Sequence, residues 1–153
     1  MTDSPQTLTP PAFTISCQAC GSLVPAEPWS WKHDCGGTLQ LKLEADATRI
    51  TACRESTTHH LSRFAPVLPL RHAPETSIGD TPLAIEELDG VRLALKLDYL
   101  NPCGSFKERG AYVTAARCVE LGLDSIVVDS SGNAGVATAY MGRRLGLAVD
   151  VFL

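Results

Sequence analysis

One lysine stands in a stretch whose residue types suit covalent chemistry on carbonyl compounds. Residues 101–110 read Asn-Pro-Cys-Gly-Ser-Phe-Lys-Glu-Arg-Gly, so that Lys107 follows a glycine-containing turn. Ser105 and Glu108 have the spacing of a capping box, which predicts that a helix begins here with Lys107 in its first turn. Because the positive end of the helix dipole disfavours a protonated ammonium, we expect Lys107 to act as a free, nucleophilic amine. The corresponding chemistry is Schiff-base formation.

A second segment, residues 129–135, has the composition of an anion-binding loop. It reads Asp-Ser-Ser-Gly-Asn-Ala-Gly and follows a β-branched run at residues 125–128 that predicts a buried strand. Small residues let the backbone approach a ligand, and the N–H groups ahead of the next helix can hold a carboxylate or a phosphate. Asn133 adds a side-chain donor and acceptor to this loop.

The elements that must position these two segments alternate between strands and helices. Periodicity predicts strands at residues 91–97, 125–128 and 148–153 and helices at residues 106–121 and 133–145. This order is a βαβαβ unit, whose parallel sheet would carry both segments at the carboxyl edge of its strands. We expect the helices to pack on the sheet through two apolar faces, formed by Ala111, Ala115 and Cys118 and by Ala134, Ala137, Met141 and Leu145.

The two segments resemble the Schiff-base motif N-P-T-G-S-F-K-D-R-G and the S-S/T-G-N-A/T loop of fold type II pyridoxal phosphate enzymes. Threonine synthases in particular share further features, at residues 17–21, 35–37, 63–70 and 79–83. Two positions depart from the motif, with cysteine for threonine and glutamate for aspartate. The resemblance implies an α/β protein. A zinc-ribbon-like N-terminal segment would precede part of a three-layer αβα domain with a parallel sheet, similar to the tryptophan synthase beta fold.

The resemblance also implies residue roles. Lys107 would hold pyridoxal 5′-phosphate and then serve as the catalytic base. Phe106 and Asn133 would contact the cofactor, Asn133 through the oxygen on the cofactor ring. The substrate carboxylate would bind to the loop residues Ser130, Ser131, Gly132 and Asn133. In threonine synthases the reaction removes phosphate from O-phosphohomoserine by β,γ-elimination and adds water to give threonine.

Two other functions fit the same segments. The G-x-T-P-L segment (residues 79–83) and the loop that contains Asn133 (residues 129–135, the asparagine loop) also occur in threonine and serine dehydratases and in cysteine synthases. The N-terminal ribbon nevertheless favours a threonine synthase. The other alternative is an inactive, shortened chain or a binding module. Residues 148–153 predict a strand with no turn or polar tail after it, whereas domains usually finish at exposed, polar ends. We therefore expect the chain to be the N-terminal part of a larger enzyme, inactive by itself.

Cys17 and Cys20 begin a pattern that is typical of zinc ribbons. A second C-x-x-C pair should follow, but a lysine takes the place of its first cysteine and only Cys35 remains. His33 is an alternative ligand, although residues two apart are sterically awkward partners, and Cys53 is a more distant alternative. The sequence therefore predicts either zinc at Cys17, Cys20 and Cys35, or a ribbon without metal that is stabilised by packing of Trp29, Trp31 and Leu39.

Composition limits the class of partner and the compartment. The chain has 153 residues, 44% of them hydrophobic, and a net charge of −4, which gives no electrostatic reason to expect nucleic acid. No run reaches membrane-spanning length, and the first residues lack the pattern of a secretion signal. Six cysteines without such a signal are typical of a reducing compartment, so we expect a cytoplasmic protein. Its expected partners are a small-molecule amino-acid substrate and, by family resemblance, a second copy in a homodimer.

The chain divides into three predicted zones. Residues 1–53 would form a tail and the ribbon-like segment, and residues 79–153 would form the partial pyridoxal phosphate domain. Between them, residues 54–78 are expected to be an extended linker, because prolines break regular structure at Pro66, Pro69 and Pro74.

Overall fold

A computed structural model describes residues 13–25 and 31–153 of the chain. The strands within these residues form three separate two-stranded sheets. Two long helices and the segment that precedes them supply most of the buried apolar residues. None of the described helices is both long and apolar enough to cross a membrane.

The first sheet is a small antiparallel ribbon of β1 (Phe13–Cys17) and β2 (Leu39–Leu43). Only the two ends of β1, Phe13 and Cys17, are buried, and four of the five residues of β2 are exposed. The Phe13 ring lies 5.2 Å from the guanidinium carbon of Arg117, which belongs to the main body of the chain. The described part of the ribbon therefore has little apolar core of its own.

Residues 54–78, predicted as an extended linker, are folded against the main core. They include the end of α1 (Ala47–Glu55) and a 3-10 helix at Leu61–Val67, which contains Pro66. The buried apolar residues of this segment are Leu61, Leu70 and Ile78. Burial of these side chains outweighs the tendency of the prolines to keep the segment extended.

The second sheet corrects the predicted topology. The strand predicted at residues 91–97 is confirmed as β4 (Val91–Lys96), but its predicted place in a parallel sheet was wrong, because β4 pairs antiparallel with β3 (Leu83–Leu88). Asp89 and Gly90 connect the two strands with φ values of 51° and 75°. Positive φ at both central residues is the geometry of a type I′ hairpin turn, for which Asp-Gly is a strong signal. The Asp-Gly pair lies between two apolar runs, so the sequence itself carries the signal for this hairpin.

The third sheet is the parallel part of the prediction. After α2 (Lys107–Glu120), the chain forms β5 (Ser125–Asp129), α3 (Asn133–Arg144) and β6 (Ala148–Phe152). β5 and β6 pair in parallel along their full length. The α/β class is therefore confirmed, whereas the described residues form one βαβ unit and no three-layer domain.

The helices α2 and α3 pack against each other as well as on the parallel strands. Buried residues of the two predicted apolar faces are Ala111, Ala115, Ala137 and Met141, and the flanking Cys118 and Leu145 pack against them. Tyr112 is fully buried beside these residues, although its position was not predicted. The Tyr112 hydroxyl donates a hydrogen bond of 2.6 Å to the carbonyl oxygen of Pro74, which joins α2 to the preceding segment.

Two glycines allow α3 to approach β6 closely. A Cβ atom at Gly142 would lie 2.2 Å from Cγ2 of Val149, and one at Gly135 would lie 3.0 Å from Cγ1 of Val151. Carbon atoms in ordinary contact are about 3.5–4.0 Å apart. A larger residue at either position would therefore push the helix away from the strand.

Candidate active site

Residues 101–107, the lysine loop, form a tight turn that leads directly into α2. Gly104 has a φ of +75°, a conformation that side chains rarely adopt, and its N–H donates to the carbonyl oxygen of Asn101 at 2.8 Å. The predicted capping box is wrong in detail because α2 begins at Lys107. The Ser105 hydroxyl accepts a hydrogen bond from the Lys107 N–H at 3.3 Å, and the Glu108 carboxylate turns back to the N–H of Cys103.

The side chain of Lys107 is exposed at the start of this helix. Its Nζ atom lies 4.7 Å from the centroid of the Phe106 ring, which is itself 59% exposed. Among the described residues, no carboxylate pairs with the Lys107 amine and no oxygen accepts a hydrogen bond from it. The amine is therefore accessible to a carbonyl compound from solvent.

Glu108 occupies the interior side of the same turn. It is fully buried, and its Oε2 atom has no hydrogen-bond partner among the described residues. Burial and the neighbouring Glu108 carboxylate raise the pKa of the Cys103 thiol to about 11. Cys103 is therefore protonated at neutral pH and does not provide a nucleophile. Both residues are departures from the motif in the sequence, and the structure places them in contact through the hydrogen bond from the Cys103 N–H to the Glu108 carboxylate.

A network that the sequence did not reveal ties the lysine loop to residues 79–83. The Asp98 carboxylate accepts hydrogen bonds from Thr81 Oγ1 at 2.7 Å and from Arg109 Nη2 at 2.8 Å and Nε at 3.1 Å. The buried side chain of Asn101 accepts from the Gly79 N–H at 3.0 Å and donates to the Asp98 carbonyl at 2.8 Å. These residues fix the loop that carries Lys107. Thr81 belongs to the G-x-T-P-L segment and Arg109 to the lysine motif of residues 101–110, so the sequence marked both residues but not the contact between them.

The hydrogen bonds of Asp98 predict how the stability of the fold depends on pH. Hydrogen bonds from Arg109 and Thr81 lower the pKa of Asp98 to about 2. The stability that the carboxylate contributes is therefore complete above its ordinary pKa of about 4 and is lost as the pH falls towards about 2. Because the side chain is 24% exposed, we expect Asp98→Asn to lower the free energy of unfolding by only about 1–2 kcal/mol at pH 7.

Urea denaturation of the wild type and Asp98→Asn at a series of pH values measures this difference. It should be constant above about pH 5 and shrink below about pH 4. Asp150→Asn is the matched control, because this carboxylate is exposed and forms no ion pair with any residue that the structure describes. A difference that does not shrink at low pH would contradict the assignment to the Asp98 carboxylate.

The asparagine loop connects β5 to α3. The Ser130 hydroxyl accepts hydrogen bonds from the N–H groups of Gly132 at 3.3 Å and Gly135 at 3.0 Å, so it caps the helix. Ser131, Gly132 and Asn133 are exposed. Among the described residues, no acceptor is bound to the N–H groups of Ser131, Asn133 and Ala134. These donors, at the positive end of the α3 dipole, are suited to an anion.

Chain connectivity directs the two loops to the same edge of the parallel strands. Four residues separate α2 from β5, and three residues separate β5 from α3. With such short connections, both helices run opposite to β5 and begin at its carboxyl edge. No hydrogen bond between described residues joins Lys107 to Asn133, so their shared crevice stays a prediction. An accessible amine and unpaired backbone donors fit a carbonyl cofactor and the carboxylate of an amino acid.

A second cluster of reactive side chains lies in the ribbon, at Cys17, Cys20, His33 and Cys35. Their ligand atoms all lie within 4.8 Å of one another. The expected steric conflict between His33 and Cys35 does not occur, because the turn that carries them brings His33 Nδ1 to 3.3 Å from Cys35 Sγ. Cys53 is buried elsewhere and does not join the cluster. Hydrogen bonds with Ser22 lower the pKa of the Cys20 thiol to about 6.

The packing predicted for a ribbon without metal is only partly described. Trp29 lies outside the described residues. Trp31 is 66% exposed, with the Lys32 amine 4.2 Å above its ring, and Leu39 is partly buried. Trp31 therefore does not supply the predicted apolar core.

Three curated relatives match between 45% and 92% of the chain. Threonine synthase of Methanosarcina acetivorans is 28% identical over 149 residues, which are 92% of this chain and 37% of that protein. Threonine synthase of Synechocystis sp. is 35% identical over 102 residues, or 61% of this chain and 27% of that protein. L-serine dehydratase/L-threonine deaminase of Mus musculus is 41% identical over 69 residues, or 45% of this chain and 21% of that protein. The chain thus spans between about a fifth and two fifths of these relatives' lengths.

Family membership depends on the part of the chain that contains both loops. No solved structure is significantly similar to this chain. The sequence profile of pyridoxal-phosphate dependent enzymes matches residues 74–153, which include the lysine loop and the asparagine loop. The chain therefore belongs to the pyridoxal-phosphate dependent enzyme family.

Proposed function

We propose that this protein acts as a lyase of the threonine synthase type, converting O-phosphohomoserine and water to threonine and phosphate. The observation that carries the proposal is the Lys107 amine at the start of α2, within the motif of residues 101–110. This amine is exposed and has no partner among the residues that the structure describes. Similarity to a threonine synthase over 92% of the chain, including the ribbon, favours this reaction over others of the family.

Lys107 is proposed to hold the cofactor covalently through its amine. The role requires a nucleophilic nitrogen with a defined direction of approach, and the fixed first turn of α2 supplies that direction. Phe106 and Asn133 would flank the cofactor at the ends of the two loops. When bound, pyridoxal phosphate accepts the electron pair that is left when a proton leaves the α-carbon of an amino acid. Lys107 Nζ, once released from its covalent bond, would move that proton.

The asparagine loop is proposed to bind the carboxylate of the substrate. The N–H groups of Ser131, Asn133 and Ala134 have no acceptor within the described part of the chain, and Ser131 and Gly132 are exposed. The hydroxyl of Ser130 already caps α3, so we assign this residue to shaping the loop. A carboxylate held at a helix start would orient the α-carbon relative to Lys107.

A dehydratase is the second candidate. The observation in its favour is the higher identity, 41%, to the mouse serine dehydratase over 69 residues. Such enzymes would use the same amine and carboxylate donors but would not need a phosphate on the substrate. A chain that binds the cofactor without turnover is the non-enzymatic alternative. The proposal also includes a cytoplasmic location, which the cysteine content favours, and a homodimer, which the family resemblance implies.

Product analysis separates these candidates. The purified protein at its full natural length, with pyridoxal phosphate, would be given O-phosphohomoserine, threonine or serine in separate reactions, with phosphate, threonine, ammonia and 2-oxo acids measured. Release of phosphate together with threonine is expected for the proposed reaction. Formation of ammonia and a 2-oxo acid from threonine or serine, without reaction of O-phosphohomoserine, would identify a dehydratase instead. Cofactor attachment to Lys107 without any turnover would support the binding alternative.

A further inference from the structure

We propose that Cys17, Cys20, His33 and Cys35 bind one zinc ion, with His33 as the fourth ligand of a closed structural site. This inference is independent of the proposed reaction, because none of the four residues belongs to the lysine loop or the asparagine loop. It adds His33 to the three predicted cysteine ligands, although the two-residue spacing of His33 and Cys35 in the sequence disfavours their binding one ion.

The distances within the cluster suit a tetrahedral ion. Cys17 Sγ lies 3.5 Å from Cys35 Sγ, and His33 Nδ1 lies 3.4 Å from Cys20 Sγ and 3.3 Å from Cys35 Sγ. Zinc bonds of about 2.3 Å to sulfur and about 2.0 Å to nitrogen give a tetrahedron whose edges are about 3.5–3.8 Å long. All ligand atoms lie within 4.8 Å of one another, so the longest separation must shorten by only about 1 Å to close the site around an ion.

The backbone builds two similar turns beneath the ligands. In the first turn, the N–H of Gly21 donates to the carbonyl of Cys17 at 2.9 Å, and in the second the N–H of Gly36 donates to the carbonyl of His33 at 2.8 Å. Each glycine directly follows a cysteine ligand and has positive φ, 72° at Gly21 and 83° at Gly36. The second turn is one residue shorter between its ligands, and the longer imidazole side chain compensates for that residue.

The two turns also pack closely against each other, as expected for segments that share one metal site. A Cβ atom at Gly37 would lie only 2.5 Å from Cys17 Sγ and 2.7 Å from Ala19 Cβ. The N–H of Gln18 donates to the carbonyl of Thr38 at 2.9 Å, which joins the first turn to the second. The absence of a side chain at Gly37 therefore leaves space for the Cys17 sulfur beside the other ligands.

The ligand set identifies the ion and its role. Three thiolates and one imidazole are soft to intermediate donors, a combination that selects zinc over magnesium or calcium. Four protein ligands leave no open position for water, which is the arrangement of a structural site. A disulfide between Cys17 and Cys35 would need the sulfurs about 2.05 Å apart and would leave His33 and Cys20 without a function. A ribbon with so few buried residues would gain its stability from the ion.

Metal analysis of the full 153-residue chain tests the site. The chain is expressed with zinc in the medium and purified under reducing conditions. Inductively coupled plasma mass spectrometry should then find about one zinc ion per molecule. Replacing zinc by Co²⁺ should give the visible spectrum of a tetrahedral cobalt site with sulfur-to-metal charge-transfer bands. The variants Cys20→Ser and His33→Ala should each weaken zinc binding by more than the 10–100-fold typical of lost outer-shell partners.

Matched controls are Cys118→Ser, a cysteine on α2, and His59→Ala, both outside the cluster. Both should keep the zinc content of the wild type. Where a ligand variant fails to fold, release of zinc from the wild type by a thiol-specific reagent gives the same information, with about three thiols blocked for each ion released. A wild-type chain without zinc and without the cobalt spectrum, or one with a Cys17–Cys35 disulfide, would overturn the proposal. Full zinc content in His33→Ala would overturn the role of His33.

Discussion

Replacing Lys107 by alanine is expected to abolish covalent attachment of pyridoxal phosphate to the chain. Within residues 13–25 and 31–153, the Lys107 amine is exposed at the start of α2 and has no partner, and alanine has no nitrogen that could replace it. Turnover in whichever product assay responds should fall by about 10³-fold or more, since the same nitrogen would also move the proton. Borohydride reduction of the chain with its cofactor, followed by peptide mass mapping, measures the attachment directly.

The control for this experiment is Lys42→Ala, which removes an exposed lysine from β2. It should leave the pyridoxyl group on the peptide that contains Lys107. Circular dichroism of both variants should match the wild type, because neither lysine is buried. A pyridoxyl group that persists on another lysine at full occupancy in Lys107→Ala would refute the assigned role.

The largest effect on stability is expected at Tyr112. This side chain is fully buried between α2 and the preceding segment, and burial raises its pKa to about 12, so the hydroxyl stays a donor at neutral pH. Tyr112→Ala would leave a large cavity and remove the hydrogen bond to Pro74. We expect a loss of about 3–5 kcal/mol in the free energy of unfolding, measured by urea denaturation. Domains are typically stable by only about 5–15 kcal/mol.

Two further variants separate the parts of this effect. Tyr112→Phe keeps the ring and leaves the Pro74 carbonyl without its donor, which should cost about 1–2 kcal/mol. Tyr99→Ala removes a tyrosine that is 64% exposed and should change stability by less than about 0.5 kcal/mol. Equal losses for Tyr112→Ala and Tyr99→Ala would show that the core does not depend on Tyr112.

The sequence was sufficient where local chemistry decides the structure. The strand at residues 125–129, the helix that follows it and the parallel partner at residues 148–152 were predicted nearly to their observed ends. Their signals are β-branched runs and small-residue turns, which act over a few neighbouring residues. The predicted helix start at residue 106 lies one residue before the observed start of α2 at Lys107. The buried Glu108 carboxylate binds the Cys103 N–H, a contact that the capping-box pattern did not predict.

Features that depend on distant contacts could not be predicted in the same way. The partner of β4 was wrong because strand periodicity does not say which strand lies beside it, although the Asp89–Gly90 turn did carry that information. The cysteine cluster depends on two turns meeting at Gly37, a contact between segments that ligand spacing does not encode. The Asp98 network likewise joins residues 17 positions apart in the chain.

The closely packed glycines of α3 have a mechanical consequence. Gly135 and Gly142 are separated by two helical turns, about 10 Å along the axis, and contact Val151 and Val149 of the same strand. One close contact would fix only the distance between the helix and the strand, whereas two contacts along a line also fix the tilt. The direction in which α3 presents its first backbone amides is therefore set by the absence of two side chains.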